Sequence, residues 1–131
     1  MKTDEKCVVG WLLDRGERAR LLNRFSPVYP DVIADHVTLS SGADPKPSPV
    51  DTEAEIVGQV DDGAGVQALV VSIGGTTDRP DGSAYHITWS IDRSKGRKAV
   101  ESNDAIRKLG WQQLAEPIPI TLTGATLPGE P

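Results

Sequence analysis

Histidine occurs twice in the 131-residue chain, and each copy opens a matched tripeptide: His36-Val37-Thr38 and His86-Ile87-Thr88. The likeness runs two residues further, His36-Val37-Thr38-Leu39-Ser40 against His86-Ile87-Thr88-Trp89-Ser90. On a strand, residues i and i+2 share a face. Each His and its Thr therefore project together, with Cα atoms about 6.6 Å apart. Val37 and Leu39, or Ile87 and Trp89, turn to the core. Two such strands side by side present two imidazoles and two hydroxyls around one group the size of a phosphate. An imidazole pKa of about 6.5 keeps acid and base forms together near neutral pH. The neutral ring takes a proton from attacking water, and the protonated ring gives one to the leaving oxygen. Thr38 and Thr88 hold the non-bridging oxygens as charge rearranges. This phosphodiester chemistry needs no metal. A structural protein whose His and Thr only pair across a sheet is the competing reading.

The elements that must position these groups are short. Apolar runs or alternation predict strands at Val8–Leu13, Asp35–Ser40, Glu55–Val60, Val66–Ile73, Tyr85–Asp92 and Ile118–Leu122. Asp61-Asp62-Gly63-Ala64-Gly65 reads as a hairpin turn. Asp14 with Arg15-Gly16-Glu17 reads as a strand exit and helix start, and a helix is expected over Arg18–Phe25, with Leu21, Leu22 and Phe25 on one face. A second is expected over Val100–Leu109, closed by Gly110. Residues 41–52, with Pro45, Pro47 and Pro49 at alternate positions, read as an extended, mobile loop. Residues 74–83 read as a second loop, and 124–131 as a tail, frayed over Pro128–Pro131. The expected fold class is α+β: one domain over 1–131, with an ordered core of about 7–123 and a largely antiparallel sheet carrying two short helices.

Composition narrows the function. The 14 Lys and Arg against 19 Asp and Glu leave a net charge of −5. An acidic chain is a poor binder of long duplex nucleic acid, whose affinity rests on phosphate neutralisation. A pocket for one nucleotide or one RNA end remains open. The basic clusters Arg15, Arg18, Arg20, Arg24 and Arg93, Lys95, Arg97, Lys98 read first as solvated faces. A single cysteine, Cys7, excludes an intramolecular disulfide and a cysteine-based zinc site. Cys7 reads as a small core-facing residue. No run of about 18 apolar residues and no secretory h-region is present. No membrane partner is therefore expected, and the expected compartment is the cytoplasm.

Paired H-x-T strands resemble the signature of the 2H phosphoesterase superfamily. That group includes the LigT-like RNA 2′,3′-cyclic phosphodiesterases and the cyclic phosphodiesterase domains of fungal and plant tRNA ligases. Val8-Val9-Gly10-Trp11-Leu12-Leu13-Asp14, followed by a helix, resembles the first strand and helix of such domains. Gly96-Arg97-Lys98-Ala99-Val100-Glu101-Ser102-Asn103-Asp104 resembles the Gly…Ser-Asn stretch after the second motif in tRNA-ligase-like members. The resemblance covers most of residues 7–123. The motifs stand 50 residues apart, short against many members, as in a version with trimmed connections.

The resemblance implies a compact fold in which the two H-x-T strands line one central cleft. It implies a hydrolase acting on a 2′,3′-cyclic phosphate of a small nucleotide or RNA end, in RNA processing or a related pathway. His36 and His86 would be the acid and base, and Thr38 and Thr88 would bind the phosphate. No cofactor and no metal are expected, and a monomer is expected. Ser102 and Asn103 either offer an anion site at a helix start or cap that helix. Lys98 or Arg97 either attracts the phosphate or lies in a solvated turn. Tyr85, on the face opposite His86, reads as packing or rim. The alternative function is a binding module that holds a nucleotide or RNA end in the same pocket without turnover.

Overall fold

The structure, a computed structural model, describes residues 7–42 and 46–127; the side chain of Cys7 and the residues from 128 onward lie outside the described set. Chain order is β1 (Cys7–Leu13), α1 (Arg15–Arg24), β2 (Asp31–Val32), β3 (His36–Gly42), β4 (Thr52–Asp61), β5 (Val66–Ser72), β6 (His86–Ile91), α2 (Ser102–Leu109) and β7 (Gln112–Leu127). Short 3₁₀ turns at Arg93–Lys95 and Ala99–Glu101 precede α2. The expected α+β class with a large antiparallel sheet is borne out: the seven strands form one sheet in the order β2-β6-β5-β4-β7-β1-β3, every pairing antiparallel.

The two ends of that order are neighbours in sequence. Only Ile33–Asp35 separate β2 from β3, so the sheet must curl until its edges approach, and β3 touches β6. The enclosed face holds the larger core: Trp11, Leu13, Val37, Ile56, Leu69, Ile87, Trp89 and Leu122, with Leu21 and Phe25 of α1 packed in. Trp89 meets Phe25 edge to face at 6.4 Å and donates Nε1–H to the Phe25 carbonyl at 2.7 Å. On the other face α2 lays Ala105 and Ile106 over Val66, Ala68, Val70 and Ile91. Burying these apolar side chains supplies the main driving force for the fold.

Four expectations change. Helix α1 is already helical from Arg15, where the sequence marks only a helix start, and it ends at Arg24; the Asp14 carboxylate accepts from the Glu17 N–H at 3.0 Å and caps it. The helix begun at Val100 is α only from Ser102, after a 3₁₀ turn. Strand β7 is far longer than Ile118–Leu122: residues 112–113 pair with β4, the chain steps out of register across Pro117, and 122–127 pair with β1. Residues 124–127 are thus strand rather than tail. Of the proline-rich loop, residues 43–45 lie outside the described set, while 46–51 run without regular structure along β1 and β7. There Trp11 Nε1–H donates to the Val50 carbonyl at 2.8 Å, and the Gly124 N–H donates to Asp51 at 2.9 Å. The two-residue β2, set after Pro30, has no counterpart in the sequence reading.

Candidate active site

Both H-x-T strands pair with a neighbour in one pattern. On β3, His36, Val37 and Thr38 face Leu12, Trp11 and Gly10 of β1, and Ser40 then faces Val9. On β6, His86, Ile87 and Thr88 face Val70, Leu69 and Ala68 of β5, and Ser90 then faces Gln67. In each, the residue after the Thr is extra: Leu39 and Trp89 are the bulged residues of two β-bulges at matching places. Val37, Ile87 and Trp89 are fully buried, as the alternation requires. His and Thr of each motif share the opposite face. The bulge on β3 depends on Gly10, where a Cβ would collide with the Val37 carbonyl and the Thr38 Cα.

The register then brings the motifs together. Asp31 and Val32 face Ile91 and Ser90. The ladder continues as Ile33 N–H donates to the Trp89 carbonyl and Ala34 N–H to that of Thr88, both at 2.9 Å. Beyond this stretch β3 runs beside β6, which brings His36 and His86 to the same seam. At Asp35 the chain changes partners: Leu13 N–H takes the Asp35 carbonyl at 3.0 Å, and β3 continues along β1. Buried Ala34 turns the corner at φ 45°, a left-handed conformation that costs a non-glycine residue about 1–2 kcal/mol. Arg18 braces the corner, with Nε–H on the Ala34 carbonyl at 2.7 Å and Nη2–H on that of Ile33 at 3.3 Å. Arg15 pairs with Asp35 at 2.7 Å. Two members of the first basic cluster thus hold the first motif instead of forming a free solvated face.

Each imidazole has its Nδ1 occupied. His36 Nδ1–H donates to Asp35 Oδ2 at 3.1 Å. Burial pushes the Asp35 carboxyl up, but hydrogen bonds from Arg15 and His36 and their charges outweigh it, so the net shift is down. A carboxylate on Nδ1 fixes the ring and offers a counter-charge to an imidazolium. His86 Nδ1 lies 2.9 Å from the Ala84 carbonyl, which only accepts, so Nδ1 carries the proton. Burial pushes His86 down to about 4, with the charges of Arg79 and His36 adding to the fall against the Ala84 hydrogen bond. His86 is therefore neutral at pH 7, with its lone pair on Nε2.

Arg79, absent from the sequence reading, reaches across the seam between the motifs. Its Nη1–H donates to the Thr38 carbonyl at 3.3 Å. Its Nε–H and Nη2–H fork onto Asp81 at 3.2 and 3.0 Å. Asp81 also accepts from the backbone and hydroxyl of Ser83. Hydrogen bonds from Arg79 and then Ser83 hold the Asp81 carboxyl far below its usual range. The available signal was the polar turn Arg79-Pro80-Asp81-Gly82-Ser83 just ahead of the second motif. For Asp35 it was adjacency to His36.

The remaining candidates are placed as follows. Among the described residues nothing takes the Thr38 hydroxyl, which is half-buried beside His36. Thr88 is only 8% exposed. Its Oγ–H donates to the Ala99 carbonyl at 3.1 Å, and its Oγ1 lies 2.9 Å from Ser102 Oγ. Ser102 is fully buried, and this bond replaces both a helix cap and an open anion site. Asn103 donates Nδ2–H to the Val100 carbonyl, and its Oδ1 is buried without a partner among the described residues. Lys98 is exposed in the turn before α2, while Arg97 is held by Asp62 and Glu101 at 2.9 and 3.1 Å. Tyr85 is core, edge-on to Trp11 at 6.0 Å.

Among the described residues no three His, Cys, Asp or Glu side chains gather as a metal site, and no helix is long and apolar enough to cross a membrane. No family model, curated protein or solved structure matches this chain.

Proposed function

We propose that the chain is a 2H-phosphoesterase-like hydrolase that opens a 2′,3′-cyclic phosphate, or a related small phosphodiester, on a nucleotide or RNA end. The observation that carries this reading is the equivalence of the two H-x-T motifs, matched down to their bulges, on two strands that meet at one seam. In this reading His86, neutral with its lone pair on Nε2, takes a proton from water as the water oxygen attacks phosphorus. His36, backed by Asp35, protonates the 2′ or 3′ oxygen as its bond to phosphorus breaks. In this reading the substrate sits over the seam where β3 meets β6, on the face that carries the His and Thr side chains. One water is consumed, one phosphomonoester is formed, and the two rings exchange proton states. A cytoplasmic monomer without cofactor or long duplex partner is part of the proposal.

The acidic pI of about 4.9 fits a small substrate rather than a long polyanion. One observation favours a second reading, a binding module without turnover: His86 is only 9% exposed, which restricts access to its Nε2. The deciding experiment incubates the four nucleoside 2′,3′-cyclic monophosphates with the protein and a chelator, for wild type, His36→Ala and His86→Ala. Turnover that falls by roughly 10²- to 10⁴-fold in both variants supports the hydrolase. Stoichiometric binding of an intact cyclic nucleotide supports the binding module. Full activity in both single variants rejects the two-histidine mechanism.

A further inference from the structure

The two motifs are equivalent in backbone but not in what their threonines have left to give. The single hydroxyl proton of Thr88 goes to the Ala99 carbonyl, and Ser102 Oγ occupies its oxygen from the other side. Thr88 therefore has no donor for an anion. Thr38 keeps its own among the described residues. A phosphate between the histidines would then lack the second donor that a symmetric site provides. On the same seam stands Arg79, whose side chain is 10% exposed and whose guanidinium is fixed on two sides, to Asp81 and to the Thr38 carbonyl. Those bonds use three of its five N–H groups. The other two, one on Nη1 and one on Nη2, have no partner among the described residues. A permanently charged, planar donor already immobilised by its neighbours loses little freedom on gripping a phosphate oxygen.

We infer that the phosphoryl group is gripped asymmetrically, by the Thr38 hydroxyl and the two spare N–H groups of Arg79, while Thr88 serves only to dock α2. The inference rests on the phosphodiester reading above and adds to it the identity of the anion donors. It makes Arg79 a binding residue, with Asp81 as the positioning residue that aims it.

The test follows the His36 and His86 imidazole resonances by NMR during titration with inorganic phosphate and then with a cyclic mononucleotide. Wild type is compared with Arg79→Gln, Arg79→Lys and Thr38→Val. Phosphate affinity should fall by roughly 10- to 100-fold in Arg79→Gln and less in Arg79→Lys, which keeps the charge but loses the fork. Thr38→Val should weaken it as well. Wild-type affinity in Arg79→Gln would overturn the inference and leave the phosphodiester reading standing. If the Gln substitution disturbs the ligand-free ring resonances, Arg79→Lys decides: affinity between the two supports the inference, and affinity equal to wild type overturns it. A wild-type protein that neither binds phosphate nor turns over a cyclic nucleotide removes the inference together with the reading beneath it.

Discussion

Leu39 and Trp89 occupy one position in a local structure built twice: each is the extra residue of a β-bulge directly after an H-x-T, and each packs toward the same core. A bulge sharpens strand twist and re-aims the flanking side chains. Two bulges at the same motif position therefore turn two His-Thr pairs in related directions from one curled sheet. The copies diverge at the next layer. Turn Ala99–Glu101 and α2 lie against Thr88, whereas Thr38 is on the edge strand of the sheet.

The β3 bulge gives the first prediction. Opposite it, Gly10 and Ala68 are matched, yet only Gly10 is hemmed in by backbone, the Val37 carbonyl and the Thr38 Cα. Backbone atoms cannot rotate aside as a side-chain tip can. Gly10→Ala should destabilise the fold by roughly 1–3 kcal/mol in urea unfolding. At temperatures where the variant is fully folded, kcat/KM for a cyclic nucleotide should still fall, because Thr38 moves with the strand. Stability and activity both at wild-type levels would show that the bulge does not set the motif.

A second prediction concerns pH and stability. The folded pKa of His86, about 4, lies below its ordinary 6.5. Between these values the unfolded chain binds a proton that the folded chain does not, so stability rises with pH across this window. Above pH 6.5 His86 adds no dependence; below about 4 its penalty is fully developed, at roughly 3 kcal/mol. Urea midpoints from pH 7.5 to 4.5 should fall in wild type, and fall less steeply in His86→Gln. Parallel slopes in the two proteins would assign the dependence to other groups.

Asp35 gives a third. Its carboxyl stays ionised well into acid because Arg15 and His36 oppose the effect of burial. It is therefore a carboxylate near neutral pH, and in the proposed reaction its own titration does not shape the profile there. If the chain works as proposed, Asp35→Asn should lower kcat by roughly 10-fold or more while KM changes little, since the proposed acid His36 loses its counter-charge but the proposed anion donors remain. Arg15→Ala should do much less, its side chain being 54% exposed. A KM effect with unchanged kcat in Asp35→Asn would place Asp35 in binding instead.

Much of this arrangement was legible in sequence because it obeys the strand period. The placing of each His and Thr on the face opposite Val37 or Ile87, the burial of Val37, Ile87 and Trp89, and the Asp61–Gly65 turn all follow from alternation and turn chemistry. What escaped depends on contacts between distant segments. The full length of β7 depends on its pairing with both β4 and β1, and on a register step near Pro117 that lets residues 112–113 join the same strand. The bracing by Arg15 and Arg18 needs the 33–35 corner, which exists only once the sheet has curled. Arg79 depends on the same closure. The commitment of Thr88 depends on where α2 docks, which no local pattern near residue 88 encodes.

That docking yields the last prediction. Thr88 and Ser102 are both buried, and each is the other's hydrogen-bond partner. Thr88→Val strands the Ser102 hydroxyl and the Ala99 carbonyl, and Ser102→Ala removes a partner from Thr88. Each should cost roughly 1–3 kcal/mol of stability. The double variant should cost less than the sum by about 1 kcal/mol, because an unpaired group is lost along with its partner. If Thr88 serves α2 and not the anion, kcat/KM in Thr88→Val should stay within a few-fold of wild type under fully folding conditions, while Thr38→Val falls further. A loss in Thr88→Val as large as in Thr38→Val, with α2 still in place by amide exchange, would restore Thr88 to the phosphate and make the site symmetric after all.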